Sequence, residues 1–292
     1  MTKVDDPIAV EGVRFSRRWV TVDDGVRLRV FEWRPERGTG AEPILFVAGW
    51  ISLVTGWRPL LEKMVETHPV YYIETREKCS AQIDRRLMRA AGFSIPRLAE
   101  DLIEASGQLG LDHEQTVLFG SSMGSNAILE ALKDGRLPAR AAFLVGPNIE
   151  FHFPRWGRVA VHVVPAWLIQ RLKGFVIWYL QQFRVNARDD PEQMARYVRT
   201  VRAADAARLK LSAKAVQGYT VLPGLETIQA PVAVAYAGSD SLHGEDEVRK
   251  IVDAIPAGTA VRCPSNTYMH TAEVAEDFEA FLASLNTRGI PS

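Results

Sequence analysis

Hydrophobic residues in this sequence recur in short continuous runs that alternate with stretches of helical spacing. The clearest runs are PILFVAG, PVYYIET, QTVLFG, ARAAFLVG and PVAVAYAG. Continuous apolar runs of this length are typical of strands that are buried on both faces of a parallel sheet. The intervening stretches, such as WRPLLEKMVETH and SNAILEALKDG, carry apolar residues at the spacing of a helix face. The alternation predicts an α/β fold with helices on both faces of a mostly parallel, twisted sheet.

The two ends of the chain extend this pattern to a sheet of about eight strands. Residues 14–34 alternate polar and apolar positions around Asp23-Asp24-Gly25, which predicts a β-hairpin. Near the other end, the short strand TAVRC precedes a last helix.

The strand–helix rhythm breaks after Pro147 and resumes near residue 230. Residues 149–229 show helical patterns without a convincing strand, and prolines and a glycine divide them into about four predicted helices: Pro154, Pro165, Gly174 and Pro191. We therefore predict one α/β core, formed by residues 1–148 and 230–292. A helical insert, residues 149–229, follows its sixth strand as a cap.

Composition places the chain among ordinary globular proteins. It has 35 basic and 35 acidic residues, 47% hydrophobic residues and 24% charged residues, which argues against disorder and against a dedicated nucleic-acid binder. Cys79 and Cys263 are too few for a disulfide framework. The first residues lack an apolar signal segment, and the longest apolar stretch, residues 159–169, is too short to span a bilayer. We expect a soluble cytoplasmic protein.

A candidate nucleophile lies where a buried strand meets a helix. Gly120-Ser121-Ser122-Met123-Gly124 matches the pattern G-x-S-x-G. Alone the pattern is weak, but here TVLFG precedes it and SNAILEALKDG follows it, which is the context of a nucleophile elbow. Glycines are needed because the turn is too tight for Cβ atoms, and the strain exposes the hydroxyl of Ser122. The alternative interpretation is a serine that caps a helix.

A serine nucleophile needs a base and an acid, in the chain order Ser, acid, His for this fold. Of the six histidines, His270 follows the last short strand and is the best candidate for the base. His243 has the right order but lies where the acid is expected. Asp240 follows the strand VAVAYAG and is the candidate acid, although aspartate is also common in turns. At the other acid position in such folds, Asn148 cannot serve as a carboxylate.

The expected oxyanion hole combines two backbone N–H groups. One belongs to Met123, directly after the nucleophile, and the other comes from the loop after the third strand. That loop contains Gly49, which permits a close backbone approach, and the N–H of Trp50 is the second predicted donor.

With these residues in place, the sequence resembles the α/β-hydrolase family over nearly its whole length. The segments IQAPVAVAYAGSDSL and YMHTAEVAEDFEAFL are similar to the acid and histidine segments of its esterase, lipase and C–C hydrolase branches. The insert is similar to the cap of that family. A serine nucleophile argues against the dehalogenase and epoxide hydrolase branches, which use an aspartate.

The chain departs from the family pattern at two places. Many members have His-Gly where this chain has Ala48-Gly49. The usual Asp-x-Arg-Gly-x-Gly-x-Ser after the fourth strand is replaced by Glu74-Thr75-Arg76-Glu77-Lys78-Cys79-Ser80. Because the glycines are missing, we expect this loop to take a different path and to add charges beside the site.

These features predict a serine hydrolase that cleaves a carboxylic ester with an apolar acyl or aromatic group. No metal or organic cofactor is expected. The alternatives are a C–C bond hydrolase acting on a β-diketone, a thioesterase or acyltransferase, and a ligand-binding member without catalysis. Three tryptophans of the insert either pack it onto the core or line an apolar substrate pocket: Trp156, Trp167 and Trp178.

The zero net charge conceals a polarised distribution. Residues 151–220 hold 12 basic and 4 acidic residues, which leaves 23 basic and 31 acidic residues elsewhere. The basic insert is either an ordinary solvated surface or a surface for an anionic membrane or an acidic substrate.

Overall fold

The computed structural model describes residues 8–22, 25–183, 191–237 and 245–287. Within these ranges, eight strands form one sheet: β1 (Val13–Val22), β2 (Val26–Pro35), β3 (Ile44–Val47), β4 (Val70–Ile73), β5 (Val117–Ser121), β6 (Ala141–Val145), β7 (Val232–Ala237) and β8 (Gly258–Cys263). The predicted strand number and the α/β class are confirmed.

The sheet has the order β1-β2-β4-β3-β5-β6-β7-β8. Strands β3 to β8 are parallel to one another, whereas β2 is antiparallel to β4 and forms the predicted antiparallel hairpin with β1. Asp23 and Asp24, which the sequence predicts to form the turn, lie outside the described residues. Because β3 to β8 run the same way, the loops that follow them meet at one edge of the sheet, where ligands bind in such folds.

Helices cover both faces of the sheet. One face carries α2 (Ile95–Leu109), α3 (Met123–Leu132) and α8 (Glu245–Ala254), and the other carries α1 (Arg58–Met64) and α9 (Val274–Thr287). On the second face, Phe46, Phe119 and Phe143 are register partners of adjacent strands. The Phe46 and Phe119 ring centroids are 4.5 Å apart, and those of Phe119 and Phe143 are 5.7 Å apart. This fully buried aromatic row fixes the strands on either side of Ser122.

Four α-helices of the described chain lie between β6 and β7: α4 (Arg155–Val163), α5 (Ala166–Phe183), α6 (Pro191–Ala203) and α7 (Ala206–Ala215). Pro165 separates α4 from α5 as expected, but Gly174 lies inside α5 and does not end it. A single glycine weakens a helix by only about 1 kcal/mol, which neighbouring contacts offset. The unpredicted boundary is at Asp205, whose carboxylate accepts the Arg208 N–H and caps α7.

Candidate active site

Ser122 occupies the sharp turn between β5 and α3. Its backbone has φ 48° and ψ −117°, and its N–H donates to the carbonyl oxygen of Val145 at 2.8 Å. A positive φ is uncommon for a residue with a Cβ and costs roughly 1–3 kcal/mol. The strained turn is held by its surroundings and leaves the Ser122 side chain partly exposed at the loop edge of the sheet.

The glycines on either side of Ser122 are required by space. A Cβ on Gly124 would lie 2.1 Å from the carbonyl oxygen of Val47, and one on Gly120 would lie 2.8 Å from Cδ1 of Ile128 and 2.9 Å from Cα of Ser125. The first contact involves backbone that cannot move without disturbing β3. The steric reason for the G-x-S-x-G spacing therefore holds at both ends of the turn.

Asn148 approaches the Ser122 hydroxyl and was not predicted as a site residue. Its Nδ2 donates to Ser122 Oγ at 3.3 Å. Asn126 holds Asn148 in place, because its Nδ2 donates to the Asn148 carbonyl at 2.7 Å and its Oδ1 accepts the Asn148 N–H at 3.0 Å. The position of Asn148 after β6 is one that an acid can occupy in this fold, and here it supplies an amide instead.

His270 lies at the same edge as Ser122, in the turn that follows β8. It ends a short 3-10 helix, Tyr268–His270, and its N–H donates to the Thr267 carbonyl at 2.9 Å. The imidazole packs on the buried indole of Trp57, with ring centroids 4.2 Å apart. Since β5 and β8 belong to the same parallel array, the loops that carry Ser122 and His270 open on one side of the sheet.

The predicted acid Asp240 lies outside the described residues, as does His243. Strand β7 ends at Ala237, three positions before Asp240 in the sequence. Two other histidines have structural contacts away from this edge. His68 is buried between the Glu42 carbonyl and Glu279, and His113 contacts the Ser106 hydroxyl.

The predicted oxyanion loop lies directly against the turn that carries Ser122. A Cβ on Gly49 would be 3.3 Å from both the Ser121 carbonyl oxygen and Ser122 Cβ. Met123 is the first residue of α3, so its N–H has no acceptor within the helix. Ile51, after Trp50, has φ 50°, a conformation that is strained for a β-branched residue.

The loop that replaces the glycine-rich family pattern buries its charges. We call residues 74–80 the charged loop. Its first five side chains are only 1–5% exposed. Glu74 accepts a hydrogen bond from Arg29 of β2 at 2.6 Å, and Arg76 donates to Asp101 of α2 at 2.7 Å. Burial raises the pKa of the Asp101 carboxyl, while Arg76 and Arg97 oppose that shift. These charges therefore pair within the protein.

Two residues of the charged loop contact the oxyanion loop. Lys78 Nζ donates to the carbonyl oxygen of Gly49 at 2.7 Å and to Glu77 Oε1 at 2.5 Å. The same Glu77 oxygen accepts the Ile51 N–H at 3.4 Å and the Thr75 hydroxyl at 2.8 Å. The sequence predicted charges here but gave no signal that they would support the backbone beside Ser122.

Helices α6 and α7 also form hydrogen bonds with the oxyanion loop and the charged loop. Trp50 Nε1 donates to Ser212 Oγ of α7 at 2.8 Å. Arg208 of the same helix donates to the carbonyl oxygens of Lys78 and Ala81, the latter at 2.8 Å. Cys79 Sγ donates to the Ala203 carbonyl at 2.7 Å. These contacts place α7 against the oxyanion loop and the charged loop.

The three tryptophans predicted to pack on the core or to line a pocket are more exposed than either interpretation implies. Trp156, Trp167 and Trp178 are 59%, 61% and 48% exposed. They belong to a larger set on α4 and α5, which we call the apolar face: Trp156, Val159, Val163, Trp167, Leu172, Phe175 and Trp178.

The described residues contain neither a metal-binding cluster nor a helix that could span a membrane. No group of three or more His, Cys, Asp or Glu side chains in these ranges is placed to hold a metal ion. No described helix is long and apolar enough to cross a bilayer.

The eight-stranded sheet, the strained serine turn after β5 and the adjacent backbone loop define an α/β hydrolase. The chain belongs to the serine aminopeptidase S33 family, whose model matches residues 89–273. No curated protein matches the sequence.

Solved structures with the same fold include an esterase from Thermogutta terrifontis, with 19% identity, a TM-score of 0.73, and coverage of 93% of this chain and 98% of that one. An enol-lactonase from Burkholderia xenovorans LB400 has 16% identity, a TM-score of 0.71, and coverage of 92% and 100%. An esterase from Exiguobacterium antarcticum has 17% identity, a TM-score of 0.70, and coverage of 92% and 98%. At these identities the similarity establishes the fold.

Proposed function

We propose that this α/β hydrolase is a serine carboxylesterase that acts through an acyl-enzyme intermediate. The observation that carries the proposal is the Ser122 turn, with its positive φ and its glycines packed against β3 and α3. A strained turn of this kind persists only where the surroundings enforce it, and it presents a hydroxyl at the ligand-binding edge of the sheet.

In the proposed reaction, Ser122 Oγ attacks the ester carbonyl and His270 takes the hydroxyl proton. Asp240 fixes the imidazole tautomer and stabilises the imidazolium. The N–H groups of Trp50 and Met123 stabilise the negative oxygen of the tetrahedral intermediate, and one such donor typically contributes about 3–4 kcal/mol. His270 then protonates the leaving alcohol, and water releases the acid from Ser122.

Asn148 has a place in this scheme as a polar contact to the nucleophile. Its amide donates to Ser122 Oγ at 3.3 Å and is held by Asn126. That hydrogen bond orients the hydroxyl oxygen while leaving its proton available to the base.

An ester with an apolar acyl or aromatic group is the proposed substrate. Two of the solved structures that share the fold are named as esterases and one as an enol-lactonase, and a lactone is a cyclic ester. Trp50 lies in the oxyanion loop, next to the Ser122 turn, and its ring meets that of Phe153 edge to face with centroids 6.2 Å apart. These two rings supply an aromatic surface for the substrate.

A fluorophosphonate probe tests the nucleophile directly. We expect the probe to attach to Ser122, located by mass spectrometry, and we expect Ser122→Ala to lose both labelling and ester turnover. The neighbouring Ser121→Ala variant is the matched control and should keep labelling at Ser122. No labelling of the folded wild-type protein, or full ester turnover by Ser122→Ala, would show that the proposal is wrong.

A substrate panel separates the ester from other bonds that the same residues could cleave. Nitrophenyl esters, acyl thioesters, β-diketones and aminoacyl amides should be compared by kcat/KM. We expect esters to be the best substrates. Preference for thioesters or β-diketones would assign a thioesterase or a C–C hydrolase, and labelling without turnover of any substrate would favour a ligand-binding role.

A further inference from the structure

Within the described ranges, the apolar face of the insert is the main departure from an ordinary solvated surface. Of the eight large hydrophobic side chains exposed in the described residues, seven belong to this face and only Trp19 lies elsewhere. Contiguous exposed apolar side chains mark sites of interaction with another protein or with a membrane.

The exposed large hydrophobic side chains share one side of each helix. At 100° per residue, Trp156, Val159 and Val163 fall within an arc of about 60° on α4. On α5 the four exposed large hydrophobic residues, from Trp167 to Trp178, span about 140°. Lys173 lies outside that arc and points inward, where it is buried and donates to the carbonyl oxygens of Arg202 and Ala204.

The charge on the two helices is entirely positive. Residues 155–183 contain four basic residues and no aspartate or glutamate. Arg155, Arg158 and Arg171 are exposed, and the Arg171 guanidinium lies 5.6 Å from the Trp167 ring centroid. Tryptophan and arginine side by side on an amphipathic helix are typical of a surface that lies in a lipid headgroup region.

We propose that the apolar face docks on an anionic membrane surface, with α4 and α5 lying in the plane of the headgroups. The surplus of eight positive charges over residues 151–220 complements anionic lipid. A second copy of the chain is a poor occupant, because two such faces would bring their positive charges together. The proposal does not depend on the reaction at Ser122.

Vesicle sedimentation tests the proposal with lipid alone. We expect the wild-type protein to sediment with vesicles of equal parts phosphatidylcholine and phosphatidylglycerol, and to stay in solution with pure phosphatidylcholine. Raising the salt concentration should release it, because salt screens the attraction between exposed charges. Absence of binding to the anionic vesicles would overturn the proposal.

Matched variants separate the apolar and charged contributions. The double variant Trp167→Ala/Phe175→Ala should reduce the partition coefficient at least tenfold, whereas Trp19→Ala on β1 should leave it unchanged. Arg171→Gln should reduce it about fivefold, the effect of one basic residue at a lipid surface, whereas Lys250→Gln on α8 should not. Circular dichroism confirms that each variant is folded.

Two results would contradict membrane docking even if the protein sediments. Equal losses in Trp19→Ala and in the double variant would show that the apolar face has no special part in binding. A dimer in sedimentation velocity that the double variant abolishes would assign the face to a second copy of the chain.

Discussion

The charged loop and the apolar face depart from the usual distribution of residues in opposite directions. The charged loop buries Glu74, Arg76, Glu77 and Lys78, and each of these side chains has an ionic or hydrogen-bonding contact inside the protein. The apolar face exposes seven large hydrophobic side chains to solvent. Buried charges that are paired within the protein hold neighbouring segments in place. A large set of exposed apolar side chains instead indicates a site that binds another protein or a membrane.

The largest expected effect comes from breaking a buried ion pair of the charged loop. Arg76→Met should lower the free energy of unfolding by about 3 kcal/mol, because the buried Asp101 carboxylate loses its bidentate contact with Arg76 and keeps only its contact with Arg97. Urea denaturation measures the change. The surface pair Arg249–Glu245 provides the control, and Arg249→Gln should cost much less than Arg76→Met because solvent screens an exposed pair. Equal losses in the two variants would contradict the distinction between buried and exposed pairs.

A smaller effect is expected where the insert meets the charged loop. Arg208→Met removes the charged donors to the Lys78 and Ala81 carbonyls and should cost about 2 kcal/mol. Hydrogen exchange of the loop amides should become faster in the same variant. Lys214→Met on the same helix is the matched control, and we expect it to change neither quantity. A loop that exchanges at the wild-type rate in Arg208→Met would show that the insert does not hold it.

The contact between Trp50 and Ser212 should have a more local effect. Ser212→Ala removes the acceptor of the Trp50 indole N–H and should cost about 1 kcal/mol. On a nitrophenyl ester we expect a several-fold lower kcat, because the Trp50 backbone is a proposed oxyanion donor. Unchanged kcat with reduced stability would show that this hydrogen bond is structural only.

The smallest effect is expected on the apolar face. Trp167→Ser should change the free energy of unfolding by less than about 0.5 kcal/mol, because the side chain is already exposed. The buried Trp57→Ala is the comparison, with an expected loss of about 3–5 kcal/mol. A loss above about 2 kcal/mol in Trp167→Ser would mean that its indole ring supports the fold.

Much of the fold could be predicted because its signals are local. Buried strands are continuous apolar runs, and the Ser122 turn requires glycines at fixed positions on either side. The prediction at Gly174 was wrong because packing can override a residue that weakens a helix locally. The start of α7 at Asp205 depends on a side-chain cap that a rule based on proline and glycine overlooks.

The hydrogen bonds that hold the oxyanion loop beside Ser122 could not be predicted from the sequence in the same way. The contact from Lys78 to the Gly49 carbonyl joins residues that are 29 positions apart, and the one from Trp50 to Ser212 spans 162 positions. Such contacts depend on the tertiary arrangement of loops whose sequences carry no periodic pattern. Asn148 is an intermediate case, because its position after β6 was recognised but its contact with Ser122 was not.

The hydrogen bonds from α7 limit how the insert can be exchanged between related proteins. A graft that replaced residues 149–229 would remove Ser212 and Arg208, the partners of Trp50 and the charged loop. The recipient core would keep the Trp50 indole N–H and the Lys78 and Ala81 carbonyl oxygens, but these groups would lose their hydrogen-bonding partners on α7. A chimaera should therefore carry α7 with the core and take only the segments before it from the donor.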